Sequence, residues 1–249
     1  MKVDIMLNTI SFFLLSVLIS ACRASPAAAP QVTNTIQKPT ETSIPTATAR
    51  PSPTPNAAAT ERYDELFSQV QEFKDQGYIP STEGKYVEVK DYLGQFAQLG
   101  WLNWSYEKEI ILENFVYTAT INWSTAVDTS EVSGCGVVFG IQEDTGYYGV
   151  ILDKSRIYFT SATKSFYYEL GKTRGSGRIS FGNPAEAKFS LAVFEDHAFV
   201  YVDDEFIGEY TLSKDKPLRG KFAYGIISGT NRSFGTRCEI TNARIWSLK

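Results

Sequence analysis

From residue 85 onward, apolar residues recur at every second position of short segments. The clearest case is FVYTATINW, residues 115–123, in which five apolar residues alternate with smaller or polar ones. Side chains of a β-strand point to opposite faces in turn, so this period predicts strands with one buried face. Short strands joined by tight turns predict an antiparallel sandwich or barrel. Nine further apolar segments follow, at 135–141, 147–153, 156–160, 166–170, 188–195, 197–203, 205–211, 221–228 and 238–246.

Residues 61–76 have the different period of an amphipathic helix. Thr60 is suited to cap its start, Gly77 to end it, and Pro80 cannot continue it. The apolar face can dock on the chain's own domain or be offered to a partner, and the sequence leaves both interpretations open. That face consists of Tyr63, Leu66, Phe67, Val70 and Phe73.

The first 21 residues have the layout of a secretory signal peptide. Lys2 gives a positive start, and ISFFLLSVLI at 10–19 is an apolar run too short to cross a bilayer of roughly 30 Å as a helix. The junction after it, Ile19-Ser20-Ala21-Cys22, resembles the bacterial lipobox. This resemblance implies cleavage before Cys22 and attachment of acyl chains such as palmitate to it. The alternative is a chance cysteine beside an ordinary cleavage site.

Residues 22–60 separate this junction from the folded part. Residues 23–60 hold seven of the ten prolines and no aromatic residue, so they cannot bury enough apolar surface to fold. We therefore expect a bilayer anchored at Cys22 and an extended tether. The predicted localisation is the bacterial envelope outside the cytoplasmic membrane, and Arg23, the residue after Cys22, favours the outer membrane where one exists. The predicted organisation is signal peptide 1–21, lipidated cysteine and tether 22–60, helix and connector 61–84, and β-domain 85–249.

Charge and motifs exclude several functions. The net charge of −4 argues against nucleic acid as a partner, because phosphate binding needs a basic face. The one histidine, His197, lies at an expected turn, and no nucleophile-elbow or metal-ligand motif is present. The acidic cluster Asp203-Asp204-Glu205 lies at an expected hairpin tip, where acidic residues suit solvent. We expect no enzyme and no cofactor, although loop oxygens could hold a structural calcium ion.

The order of the strand segments resembles the concanavalin A-like lectin/glucanase jelly roll, close to laminin-G-like domains. The resemblance covers roughly residues 85–249 and rests on strand order, turn placement and the hairpin KFSLAVFEDHAFVYVDDEFIGEY, residues 188–210. It implies an all-β, antiparallel jelly-roll β-sandwich, here with one N-terminal amphipathic helix. The glucanases of that fold carry a Glu-x-Asp-x-x-Glu cluster that this chain lacks.

The same resemblance implies a disulfide between Cys135 and Cys238. These cysteines remain once Cys22 carries lipid, and each begins a predicted strand. In the jelly roll, those two strands belong to opposite sheets, so their starts could meet at one end of the sandwich. The compartment permits oxidation. Two buried free thiols are the alternative.

Candidate ligand contacts are aromatic. Flat rings stack on sugar faces, and GWLNWSY at 100–106 concentrates three of them. If Ile157 and Tyr148 point into the core, their neighbours point outward on the sheet face where lectins of this fold bind. We therefore expect a non-catalytic lectin-like domain that binds a glycan or another envelope component, with a carbohydrate hydrolase or a structural, adhesive module as alternatives. The candidate contacts are Trp101, Trp104, Tyr106, Tyr147, Arg156 and Tyr158; the tryptophans could instead be core or edge residues.

Overall fold

The computed structural model describes residues 57–128, 131–171 and 180–249, without the side chains at 57–58 and 106–109. The signal peptide, Cys22 and the tether up to residue 56 lie outside these ranges, so the predictions about them stay predictions. Within the described residues, no helix is both long enough and apolar enough to cross a membrane.

One helix precedes thirteen strands in the described part of the chain. The helix is α1 (Ala57–Asp75). The strands are β1 (Gly84–Glu88), β2 (Tyr92–Phe96), β3 (Trp101–Leu112), β4 (Phe115–Thr125), β5 (Gly134–Gln142), β6 (Gly146–Asp153), β7 (Arg156–Ala162), β8 (Tyr167–Glu169), β9 (Ala185–Phe194), β10 (His197–Val202), β11 (Glu205–Thr211), β12 (Gly220–Ser228) and β13 (Thr236–Leu248).

The strands form two antiparallel sheets. The seven-stranded sheet has the order β1-β13-β4-β9-β10-β11, and β2 also pairs with β13. The six-stranded sheet has the order β3-β12-β5-β6-β7-β8. Neighbours such as β13 and β4, or β12 and β5, are far apart in sequence, as in a jelly roll. The predicted fold class, an all-β antiparallel jelly-roll sandwich with one helix, is confirmed.

The main core lies between the two sheets. Apolar residues from alternate positions of both sheets fill it, and their aromatic rings meet edge to face. Phe115 of β4 lies 5.4 Å from Phe139 of β5, measured between ring centroids. Both side chains are about 1% exposed. Burying a side chain of this size contributes roughly 1.5–3 kcal/mol, so the alternating pattern supplies the main force for closing the sandwich.

A disulfide joins the two sheets inside this core. Cys135 of β5 and Cys238 of β13 are fully buried, and their Cα atoms are 5.8 Å apart. That separation lies within the range a bridge requires. The pairing implied by the resemblance is therefore present in the structure, and the alternative of two free thiols is not.

The helix docks on the outer face of the seven-stranded sheet. Leu66, Val70 and Phe73 are buried there in a second apolar cluster, against side chains that include Ala192 of β9 and Trp246 of β13. The apolar face of α1 therefore docks on the chain's own domain.

The sequence predicts the C-terminal end of α1 correctly but not its N-terminal end. Gly77 ends the helix as expected: it has a φ of 80°, and its N–H donates to the Lys74 carbonyl at 2.9 Å. The Tyr78 N–H donates to the Phe73 carbonyl at 2.9 Å, which completes a Schellman motif. The start was predicted wrongly, because Thr60 lies inside the helix. Alanine is the best helix former, and the preceding alanines extend the helix to Ala57.

Candidate functional site

Strand register brings several predicted contacts onto the outer face of the six-stranded sheet. Tyr148 and Ile157 point into the core, as expected. The β6–β7 pairing sets Asp153 opposite Arg156, Ile151 opposite Tyr158, and Tyr147 opposite Ala162. Residues opposite each other in an antiparallel pair share a face. Tyr147, Arg156 and Tyr158 therefore all lie on the outer face.

Trp104 lies on the same face, but on β3, the strand at the opposite edge of the sheet from β8. Its register partner is Gly225 of β12, which in turn pairs with Gly136 of β5. Two strands separate β3 from β6, yet the ring centroids of Trp104 and Tyr147 are only 4.8 Å apart. The two side chains therefore lean toward each other over β12 and β5.

Glycines leave room for this approach. A Cβ added at Gly225 would lie 2.9 Å from the Val138 side chain and 3.4 Å from that of Leu102. A Cβ added at Gly149 of β6 would lie 3.5 Å from Leu102. The Leu102 side chain thus fills the space above both glycines. The centre of the face is a buried apolar layer, and the aromatic rings surround it.

Four rings form what we call the aromatic cluster: Trp104, Tyr147, Tyr158 and Tyr167. Tyr167 lies on β8 opposite Ala162, and its ring centroid is 6.4 Å from that of Tyr158. Trp104 is 37% exposed and Tyr167 is 48% exposed, while the other two rings are partly buried. The cluster therefore presents aromatic faces to solvent along one side of the sheet.

The phenols of Tyr147 and Tyr167 remain neutral at physiological pH. Burial raises the pKa of Tyr147, and the neighbouring phenol of Tyr158 raises it further. Burial is also the main cause that raises the pKa of Tyr167, followed by its hydrogen bond with Tyr158. A neutral phenol both donates and accepts a hydrogen bond, so the cluster combines flat apolar rings with polar groups of both kinds.

Arg156 connects the cluster to two carboxylates. Its Nη1 donates to Glu169 Oε1 at 3.0 Å and to Oε2 at 2.9 Å. Its Nε lies 3.5 Å from Asp153 Oδ2, at ion-pair distance. Its Cζ lies 4.7 Å from the centroid of the Tyr158 ring, over the face of that ring. This arrangement fixes the guanidinium and holds Tyr158 in position beside it.

The structure does not unite all the predicted contacts. Trp101 is 62% exposed, but it is three residues from Trp104 on β3, so the alternation of a strand places it on the opposite face. Tyr106 lies in β3, and its side chain is outside the described part. Sequence reasoning missed Tyr167 and Glu169, although both fall in the predicted strand 166–170.

The acidic and histidine candidates lie on the other sheet. The φ angles of Asp203 and Asp204 are 51° and 64°, and the two residues form the turn between β10 and β11. Asp203 Oδ1 accepts a hydrogen bond from the backbone N–H of Lys188 at 2.8 Å. Asp204 Oδ1 forms an ion pair with the Nζ of the same lysine at 2.7 Å.

His197 Nδ1 lies 2.7 Å from Glu209 Oε1 at the start of β10. Among the residues described, no three His, Cys, Asp or Glu side chains converge as metal ligands.

Comparison with known proteins gives structural likeness alone. The sequence matches no protein-family model and no curated protein sequence. The carbohydrate-binding module CBM66 from Bacillus subtilis aligns with a TM-score of 0.42 and 11% identity, over 67% of this chain and 93% of the module.

Two enzymes also align. For the fructosyltransferase from A. japonicus the TM-score is 0.39 and the identity 12%, over 66% of this chain and 26% of the enzyme. For LamAcat from Zobellia galactanivorans the values are 0.37 and 13%, over 55% of this chain and 66% of that protein. These similarities are too low to carry a function to this chain.

Proposed function

We propose that this protein is a lipid-anchored envelope protein whose sandwich domain binds a glycan without cleaving it, through the aromatic cluster. The observation that carries the proposal is the group of partly exposed rings on one face of the six-stranded sheet. Such rings on a surface are costly to leave in water and mark a contact site. Their flat faces match the apolar faces of sugar rings.

The polar groups of the same face complement a sugar. The Tyr147 and Tyr167 phenols, kept neutral by their raised pKa values, can donate to and accept from sugar hydroxyls. Arg156, a predicted contact, is only 7% exposed and is held by Glu169, so its part in the site is to keep the Tyr158 ring in place rather than to reach a ligand. Stacking would supply most of the affinity, and the two phenols would orient the sugar.

The anchor completes the proposal. Cys22 with its acyl chains would hold the protein on the outer side of a cytoplasmic membrane, or on the outer membrane where there is one. The tether that precedes α1, residues 23–56, would extend by on the order of 100 Å at about 3.1 Å per residue in polyproline II form. The domain could then reach glycans of the envelope that lie away from the bilayer.

A carbohydrate hydrolase is the second candidate, and one observation favours it. Asp153 and Glu169 flank the aromatic cluster on the same sheet face, and a glycosidase needs two carboxyl groups near its substrate. Both carboxylates contact the Arg156 guanidinium. Both oxygens of Glu169 accept from Arg156 Nη1. Asp153 Oδ1 accepts the backbone N–H of Ser133 at 3.3 Å, so both carboxylates are engaged within the protein rather than free to face a substrate. Binding without cleavage is therefore the function we propose first.

A glycan array tests the proposal. The full chain, purified in detergent, is applied to the array, and each glycan that binds is incubated with the protein and analysed for cleavage products. Binding without products supports a lectin-like function. Products that disappear in the Glu169→Gln variant support the hydrolase, and no binding to any glycan contradicts both.

A further inference from the structure

Lys216 lies at the end of the β6–β7 pair, under the aromatic cluster. It belongs to the loop between β11 and β12 and is only 6% exposed. Its Nζ donates to the backbone carbonyls of Tyr147 and Ala162, the latter at 3.0 Å, and lies 3.5 Å from Ser161 Oγ. It also lies 3.8 Å from the centroid of the Tyr148 ring. All three N–H donors of the ammonium thus have an acceptor.

These two carbonyls belong to residues that place rings of the cluster. Tyr147 and Ala162 face each other across the β6–β7 pair, and Ala162 faces Tyr167 across the β7–β8 pair. Tyr147 in turn contacts Trp104. A single side chain therefore ties the end of β6, from which Tyr147 projects, to Ala162 of β7, the register partner of Tyr167.

Lys216 is charged and buried without a counter-ion among the described residues. The titratable group that contacts it is the phenol of Tyr148 on β6, on which Tyr168 of β8 acts in turn. Ser161 on β7 does not titrate. Of its loop neighbours, Lys214 pairs with Asp196, and the Asp215 backbone N–H donates to Ser213. Burial lowers the pKa of Lys216 to about 8. A neutral amine keeps only two of the three donors and loses the charge that strengthens them.

We propose that Lys216 is a positioning residue of the aromatic cluster: its ammonium holds the carbonyls of Tyr147 and Ala162 together, so the contact of Tyr147 with Trp104 depends on its protonation. This inference rests on the proposed function only for the role of the aromatic cluster in binding a glycan. The contact itself is a property of the protein without a ligand and can be measured without one.

Tryptophan fluorescence isolates this contact. The chain has four tryptophans, of which Trp123 and Trp246 are buried, so the Trp101→Phe variant leaves Trp104 as the only partly exposed one. Acrylamide quenching of the full-length variant is measured from pH 7 to pH 9. With a pKa of about 8, Lys216 is about nine-tenths protonated at pH 7 and about one-tenth at pH 9. The Tyr147 and Tyr148 phenols, with raised pKa values, remain neutral over this range.

We expect the quenching constant to rise with a midpoint near pH 8. Adding Lys216→Met should give the high value at every pH, while adding Lys164→Met, at an exposed lysine of the β7–β8 turn, should leave the transition unchanged. A flat profile in the Trp101→Phe parent would overturn the inference, even if Lys216→Met failed to fold. An unchanged transition in folded Lys216→Met would also overturn it. Absence of glycan binding would affect the proposed function and leave this result intact.

Discussion

Removing the disulfide should cost the domain a large part of its stability. The change is the double substitution Cys135→Ala and Cys238→Ala in a chain that also carries Cys22→Ala. The third substitution removes the only other cysteine. Alanine is preferable to serine at both positions, because they are fully buried and a hydroxyl there would need a partner.

The magnitude follows from the loop that the bridge closes. The two cysteines are 103 residues apart. In the chain-entropy treatment, a loop of roughly that length restricts the unfolded chain by about 4.7 kcal/mol at 25 °C. The cavity left by two sulfur atoms in the core adds a cost of about 1 kcal/mol or more. Native domains are stable by only about 5–15 kcal/mol, so the variant should be close to unfolding.

Urea unfolding followed by circular dichroism measures this difference. The three proteins are the Cys22→Ala chain oxidised, the same chain with reductant, and the double alanine variant. We expect both altered forms to lose on the order of 4 kcal/mol, with the alanine variant losing slightly more. A difference below about 1 kcal/mol, or two reactive thiols in the denatured, unreduced chain, would refute the reasoning.

Three other predictions follow from separate parts of the chain. Phe73→Ala should lower the unfolding free energy by about 3–5 kcal/mol because it empties a buried site under α1, whereas Phe166→Ala, 73% exposed, should change it by about 0.5 kcal/mol or less in the same urea experiment. Cys22→Ala should abolish incorporation of a labelled fatty acid, and undiminished label would contradict lipidation. Substitution within residues 203–205 should leave any glycosidase activity intact, and a loss of about a hundredfold or more with the fold retained would contradict this, since acid–base groups contribute roughly 10²–10⁴-fold.

Strands with a strong period and clear turns could be predicted from the sequence. The hairpin of β10 and β11 is an example, because Asp203 and Asp204 tolerate the positive φ of a tight turn. The bounds of strands β1, β2 and β3 could not be predicted from the residue pattern. The first two are short, with only partly buried alternate positions. β3 lies at a sheet edge, where exposed positions such as Trp101 and Ile111 blur the alternation.

The candidate site could be predicted only in part for a related reason. The face on which Tyr147 or Tyr158 lies follows from the local period of two, and that part was predicted. Which strands are neighbours depends on pairing between distant segments, such as β3 with β12, and no local pattern encodes it. The approach of Trp104 to Tyr147 was therefore not foreseeable. Tyr167 was missed as a contact because consecutive aromatic residues give no period from which to read a face.

Affinity of two matched tryptophan variants tests the central claim most directly. Trp104 and Trp101 lie three residues apart on the same strand, on opposite faces, and Trp101 is the more exposed. For a glycan found on the array, calorimetric titration of the full chain should show Trp104→Ala weakening binding by about tenfold or more, the effect of losing roughly 1.4 kcal/mol of ring contact. Trp101→Ala should bind as the unaltered protein does. Equal affinity of both variants and the unaltered protein, or a loss confined to Trp101→Ala, would contradict the assignment of the aromatic cluster as the glycan site.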